Sequence, residues 1–331
     1  MNRLIDEYDA ALCDLDGVVY LGPQPIPGSA ETIRQLQAEH VKVGFVTNNA
    51  GRAAQVVVDQ LRGFEIECSV DDVVTSGQAV ADLMAQQLPA GSKVFVCGTQ
   101  ALRDEITARG FELVEDHTGQ PDALVQGYEP KVTWPRLEQA AFAVQQGAKW
   151  YAANLDSNRP TDQGLVPGTG AQVAVVGTCV DFEPITAGKP HPPLLRYTIK
   201  RLETARPIFV GDRLDTDIEG ANNVDMDSLF VFTGSHGKAD LASASERLRP
   251  SAIGYDLSAL LEPRRVASVA DGEASCGAVR VKVVSGDLVI EGETNTRDSQ
   301  LDALWAGLQL IWAADGDLSY GDFLADLHEL G

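Results

Sequence analysis

DAALCDLDG, residues 9–17, is a short apolar run that stops at two carboxylates, Asp14 and Asp16, followed at once by Gly17. Its length and composition suit a buried strand, and the acids mark where that strand comes to its end. The same format recurs in VKVGFVTNN (41–49), RPIFVGD (206–212) and DSLFVFTG (227–234). Between the first two lies GSAETIRQLQAEH (28–40), a helical pattern opened by Ser29. Strands alternating with helices predict an α/β fold with a doubly wound, Rossmann-like parallel core sheet. Ligands of such sheets bind beyond the carboxyl ends of the strands. Here the ends DLD, TNN and GD would gather polar groups along one edge.

The middle of the chain repeats this style as a unit of its own: SKVFVCG, helical TQALRDEITARG, DALVQGY, helical WPRLEQAAFAVQQG, then KWYAAN. It predicts an inserted α/β module over 82–182, dividing the first module into 1–81 and 183–261. After about 262 the texture changes. EPRRVASVADGEAS reads as a linker or the opening of another domain, and AVRVKVVSGDLVIEGE as two strands around a Ser-Gly-Asp turn. In DSQLDALWAGLQLIWAA, Leu301, Leu304, Trp305, Leu308, Ile311 and Trp312 share one helical stripe, better suited to core packing than to a partner. A small α+β C-terminal domain, 263–331, is expected.

A net charge of −22 speaks against nucleic acid or an anionic membrane surface as partner, because both call for a basic footprint. The five cysteines are scattered without a CxxC pair, which points to free thiols in a reducing compartment. The N-terminal MNRLIDEYDA lacks the apolar stretch of a signal peptide, and no apolar run reaches the roughly 18 residues of a membrane span. A cytoplasmic protein without membrane insertion is expected, with a homo-oligomer left open.

Two acids one residue apart at a strand end need a reason. As the start of a calcium loop they fail, since Val18 stands at the fifth position and Pro25 at the twelfth, where a bidentate Glu belongs. Capping a turn would explain one carboxylate, not both. A carboxylate at the mouth of a sheet can attack phosphorus if a divalent cation screens the repulsion. A second carboxylate two residues on can give a proton to the leaving alkoxide and later take one from water.

The chain resembles the haloacid dehalogenase superfamily of aspartyl-phosphate phosphatases, whose four signatures occur in order as CDLDG, FVTNNAGR, AGKPH and FVGDRLDTDIEGA. The resemblance covers about 8–260. It implies Asp14 as nucleophile, Asp16 as general acid/base, Thr47 and Asn48 as phosphate ligands and Lys189 as phosphate clamp. It further implies Mg²⁺ held by Asp14, the Asp16 backbone carbonyl and Asp212, with Asp217 behind them and Arg213 near the substrate. Halide cleavage would not need Asp16, whereas an alkoxide leaving group does.

The large insert between the second and third signatures is similar to the NagD-like branch, subclass IIA. In the cap stretch AANLDSNRPTDQGLVPGTGAQVAVV, Ala153 stands where relatives show Thr, so only Asn154 and Asp156 carry over as substrate contacts. GTGAQV is no dinucleotide fingerprint: Val173 takes the third glycine's place, and no clear strand precedes it. The tail looks like the acetyltransferase-like fragment of actinobacterial members but lacks the Gly-rich turn that grips acyl-CoA, so no acetyl transfer is expected. The resemblance implies a Mg²⁺-dependent phosphatase for a small phosphorylated metabolite, glycerol 3-phosphate first. Phosphoglycolate, pyridoxal phosphate and nucleotides are alternatives, as are an intramolecular phosphomutase and a non-catalytic phosphometabolite sensor.

Overall fold

A computed structural model describes residues 2–161, 163–314, 316 and 318–330. The chain packs as two compact units, one of Met1–Val43 with Thr204–Gly331 and one of Gly44–Glu203.

In the first unit, parallel strands run in the order Ala252–Gly254, Asp227–Val231, Pro207–Gly211, Ala10–Asp14. Ala10 pairs with Pro207 and Cys13 with Val210, so the first and fourth signatures leave their strands side by side. Leu12, Phe209 and Phe230 are wholly buried, as a sheet covered on both faces requires. Helix Ser29–Ala38 follows the pattern expected, but its N-cap is Gly28, and the Ser29 hydroxyl donates to the Val19 and Ile26 carbonyls at 2.8 Å.

The tail belongs to this unit. Four antiparallel strands, Ser268–Ala270, Glu273–Cys276, Val279–Val284 and Asp287–Glu291, form a meander. The Ser-Gly-Asp turn is a true hairpin, since Ser285 and Gly286 both have positive φ (54° and 91°). Helix Arg297–Ala313 starts at the Thr296 cap, whose hydroxyl accepts from the Ser299 N–H at 3.1 Å. Its stripe is buried in a core made jointly by the tail and the parallel sheet of this unit. Leu301, Leu304, Trp305, Leu308 and Ile311 meet Ala274, Val281 and Leu288 there, together with Leu214, Ile218, Phe230, Leu241 and Ile253. Each such fully buried aliphatic side chain contributes roughly 1.5–3 kcal/mol.

In the second unit, the Phe45–Thr47 part of strand Lys42–Thr47 pairs in parallel with Val73–Thr75. A separate parallel sheet has the order Ile185–Thr186, Lys149–Ala152, Ala123–Gln126, Lys93–Cys97, Glu112–Val114. Its edge strand Ile185–Thr186 lies just beyond the sequence-expected edge at 182. Helix Trp134–Gln145 covers it with Leu137, Ala140 and Val144, capped at Thr133. A short strand, Gly164–Pro167, does precede the GTGAQV turn, contrary to expectation, but it is half of an antiparallel hairpin with Asn158–Thr161. Gly168 caps the next helix, and a Cβ there would lie 2.2 Å from the Asp156 carbonyl oxygen. Close chain approach, not a cofactor, accounts for that glycine.

Candidate active site

Asp14 is the last residue of its strand and Asp212 directly follows the neighbouring strand Pro207–Gly211. Asp217 comes round on the helical turn Leu214–Ile218, and its carboxylate accepts the Arg213 N–H at 3.1 Å. One carboxylate oxygen from each of Asp14, Asp212 and Asp217 lies within 4.8 Å of the others. Asp212 and Asp217 are each only 1% exposed. Three acids this close, two of them out of water, repel one another unless a cation lies among them. Their donors are all hard oxygens, which fits Mg²⁺ and gives a soft metal nothing to prefer.

Asp16 is exposed on the loop that follows. The Gly17 N–H donates to the Tyr20 carbonyl at 2.8 Å, and the Val19 and Tyr20 N–H groups share the Leu15 carbonyl at 3.0 Å. Gly17 has φ +94°, and a Cβ on it would stand 2.7 Å from the Asp212 carboxylate. Only glycine lets the loop turn this tightly over that acid. Cys13, just before Asp14, is inert: burial, and then the Asp14 charge, push its thiol up to about 12.

The loop 233–236 packs against the acid cluster. Thr233 donates to the Gly17 carbonyl at 2.6 Å, and the Ser235 N–H to the Asp212 carboxylate at 2.6 Å. His236 accepts the Leu214 N–H on Nδ1 at 2.9 Å, which puts its own proton on Nε2. No signature marks these residues in the sequence, although Thr233 to His236 follow the fourth strand just as DLD, TNN and GD end the other three. Arg213 sets its guanidinium on Asp215 through two contacts, at 3.1 and 2.8 Å.

The second unit holds the other sequence-expected residues. Thr47, 5% exposed, ends its strand and accepts the Asn49 N–H at 3.0 Å. Asn48 grips the backbone of Lys189, accepting its N–H at 2.8 Å and donating to its carbonyl at 3.0 Å. The second amide hydrogen of Asn48 goes to Asp156 at 3.1 Å. Asn154 donates to the Asn48 carbonyl at 2.6 Å and accepts the Asp156 N–H at 3.1 Å. Ser76 donates to the same Asn48 carbonyl. Both amide donors of Asn48 are thus engaged within the protein. The structure gives its side chain the position of a brace for Lys189, which is itself only 2% exposed.

Residues 11–112 match the family model of haloacid dehalogenase-like hydrolases, and 186–260 match a HAD-hydrolase-like model. The D-glycerol 3-phosphate phosphatase of Mycobacterium tuberculosis is 37% identical over 99% of this chain and 90% of its own. The chain belongs to the haloacid dehalogenase-like hydrolase family. A crystal structure of the glycerol phosphate phosphatase of M. tuberculosis in complex with magnesium superposes with a TM-score of 0.86. It shares 37% identity over 95% of this chain and 93% of its own. An acid sugar phosphatase of Staphylococcus saprophyticus is 35% identical over 72% of this chain and 92% of its own. All four signatures of this family are present in the chain, and the acids of the first and fourth lie together.

Proposed function

We propose that this hydrolase is a Mg²⁺-dependent phosphatase that hydrolyses a small phosphate monoester, glycerol 3-phosphate before others. The observation that carries the proposal is the cluster of Asp14, Asp212 and Asp217 carboxylates within 4.8 Å at adjacent strand ends. The substrate choice rests on the relative that matches nearly the whole chain, tail included.

Asp14, the Asp16 backbone carbonyl and Asp212 would hold the metal, with Asp217 behind them. The cation, when bound, screens the repulsion between a carboxylate and a phosphate dianion. An Asp14 oxygen attacks phosphorus, the ester P–O bond breaks, and Asp16 gives its proton to the departing alkoxide. Asp16 then takes a proton from water, which attacks the aspartyl-phosphate and releases inorganic phosphate and the Asp14 carboxylate. Thr47 and Lys189 take the phosphoryl oxygens, where charge spreads in the transition state. Asn48 acts by holding Lys189. Asn154 and Asp156 serve the substrate side from the cap segment 82–182, and Arg213 contributes through its backbone hold on Asp217.

The test is a panel of glycerol 3-phosphate, phosphoglycolate, pyridoxal phosphate and a nucleoside monophosphate, with Mg²⁺ or chelator, scored by inorganic phosphate released. Asp14→Asn should abolish release and leave the thermal melt in place. Wild-type rates in that variant would overturn the mechanism. Binding without release would point to a sensor, and transfer back to substrate to a mutase.

A further inference from the structure

The C-terminal domain has no part in the chemistry just described, yet it is fastened to the loop that closes the acid cluster. That loop reaches the site three times: Thr233 on the Gly17 carbonyl, the Ser235 N–H on the Asp212 carboxylate, and His236 on the Leu214 N–H. Its backbone runs so near Asp212 that a Cβ on Gly234 would fall 2.0 Å from the carboxylate oxygen. The chain then enters the short helix Lys238–Ala242.

It is this helix that the tail holds. Lys238 donates from Nζ to the Leu327 carbonyl at 2.6 Å, and Trp312 donates from Nε1 to the Leu241 carbonyl at 2.9 Å. Leu241 is wholly buried in the core shared with Leu304, Leu308, Ile311, Phe323 and Leu327. Burial depresses the Lys238 ammonium's pKa, as expected of a group drawn in from solvent to meet that carbonyl. The same core contains Leu214 and Ile218, which flank Asp217 on its helical turn. Both acids of the fourth signature therefore have their supporting segments packed on the tail.

We propose that the C-terminal domain is a brace for the metal site: through Lys238 and Trp312 it fixes the loop 233–237, and through that loop the Asp212 carboxylate. Lys238 and Trp312 are positioning residues, because neither is among the three clustered acids. The inference rests on the metal reading of the acid cluster. Groups behind a ligand commonly set metal affinity within a factor of about 10–100.

The test uses the full chain and Mn²⁺ as a spectroscopic probe, with binding read by electron paramagnetic resonance and no turnover required. Lys238→Met combined with Trp312→Phe keeps the bulk of both side chains and removes both hydrogen bonds. It should weaken Mn²⁺ binding roughly tenfold. Trp312→Phe alone should move it in the same direction by less, and serves if the double variant does not fold. Val144→Ala loosens the separate core under helix Trp134–Gln145, in the other unit, and should lower the melting temperature with Mn²⁺ affinity unchanged. Equal Mn²⁺ affinity in the wild type, the double variant and Trp312→Phe would overturn the brace. Failure of the wild type itself to bind Mn²⁺ would instead overturn the metal reading, and the brace with it.

Discussion

Gly17→Ala is the sharpest probe of the catalytic loop, because one added carbon acts in two separable ways. At φ +94° an L-residue stores strain of about 1–3 kcal/mol. The new Cβ would also stand 2.7 Å from the Asp212 Cγ and Oδ2, against ordinary contact from 3.4 Å, so loop and acid must part by roughly 0.7 Å. Asp212 has little freedom to retreat: it is buried and tied through Oδ2 to the Ser235 N–H. A displacement near 1 Å at a reacting centre can cost on the order of 100-fold in rate.

Gly22→Ala supplies the control. Gly22 also has positive φ, +58°, but a Cβ there meets nothing within 4 Å. Both variants should melt earlier, by about 2–4 °C per kcal/mol at most for a chain of this size. Only Gly17→Ala should lose about 100-fold in kcat and require about tenfold more Mg²⁺ for half-maximal rate. The assay is phosphate release from glycerol 3-phosphate across a Mg²⁺ titration, beside a thermal melt of each protein. A Gly17→Ala enzyme with wild-type kcat and Mg²⁺ requirement would refute the reading that this glycine makes room for Asp212.

Asn48→Asp keeps the acceptor for the Lys189 N–H, removes the donor to its carbonyl, and sets a second carboxylate against Asp156. Competitive inhibition by inorganic phosphate should weaken about tenfold, the equivalent of one hydrogen bond of roughly 1.4 kcal/mol; an unchanged constant would remove the brace role. Asp9 is partly desolvated, which raises its pKa, but it accepts from Thr204 and from the Ala205 and Arg206 N–H groups, and the net shift is downward from 3.8. The sign follows: its contribution is present above the unfolded pKa and is lost as pH falls through the lower folded value. Asp9→Asn should therefore cost about 1 kcal/mol near neutrality and progressively less below about pH 4, measured by urea melts; a deficit independent of pH would count against it. Exposed Cys179 should react with a thiol reagent in the native protein, while buried Cys13 reacts only on unfolding, as mapped by mass spectrometry; fast native labelling of Cys13 would contradict its burial.

Where the sequence was readable, the physics was local and repeated. Leu12, Phe209 and Phe230 lie in strands buried on both faces, and such strands have little choice but to be apolar and to end where polar residues begin. The tail helix was readable because six apolar residues keep helical spacing. Ile185–Thr186 was not, since two residues show no period and owe their strand state to Tyr151 and Ala152 alongside. Ser29 misled as a cap because a hydroxyl can serve the helix N-terminus or a nearby carbonyl equally well, and here the Val19 and Ile26 carbonyls won.

The site divides along the same line, between charge and shape. Acids that close an apolar run, such as Asp14 and Asp212, stand out even in one dimension, whereas Asp217 is implied there only by the family resemblance. A carboxamide announces nothing. Asn48 has the right chemistry for a phosphate oxygen and equally for a peptide group, and only the folded chain shows it bound to both backbone groups of Lys189. The loop 233–236 is silent in the sequence for the same reason, since it holds Asp212 largely through a backbone N–H that any residue but proline possesses. Sequence thus exposes the groups that carry the reaction's charge, while the neutral groups that aim them become visible only through their partners. The tail belongs to this second class: neither Lys238 nor Trp312 marks its role by residue type, and both act through carbonyl groups, those of Leu327 and Leu241.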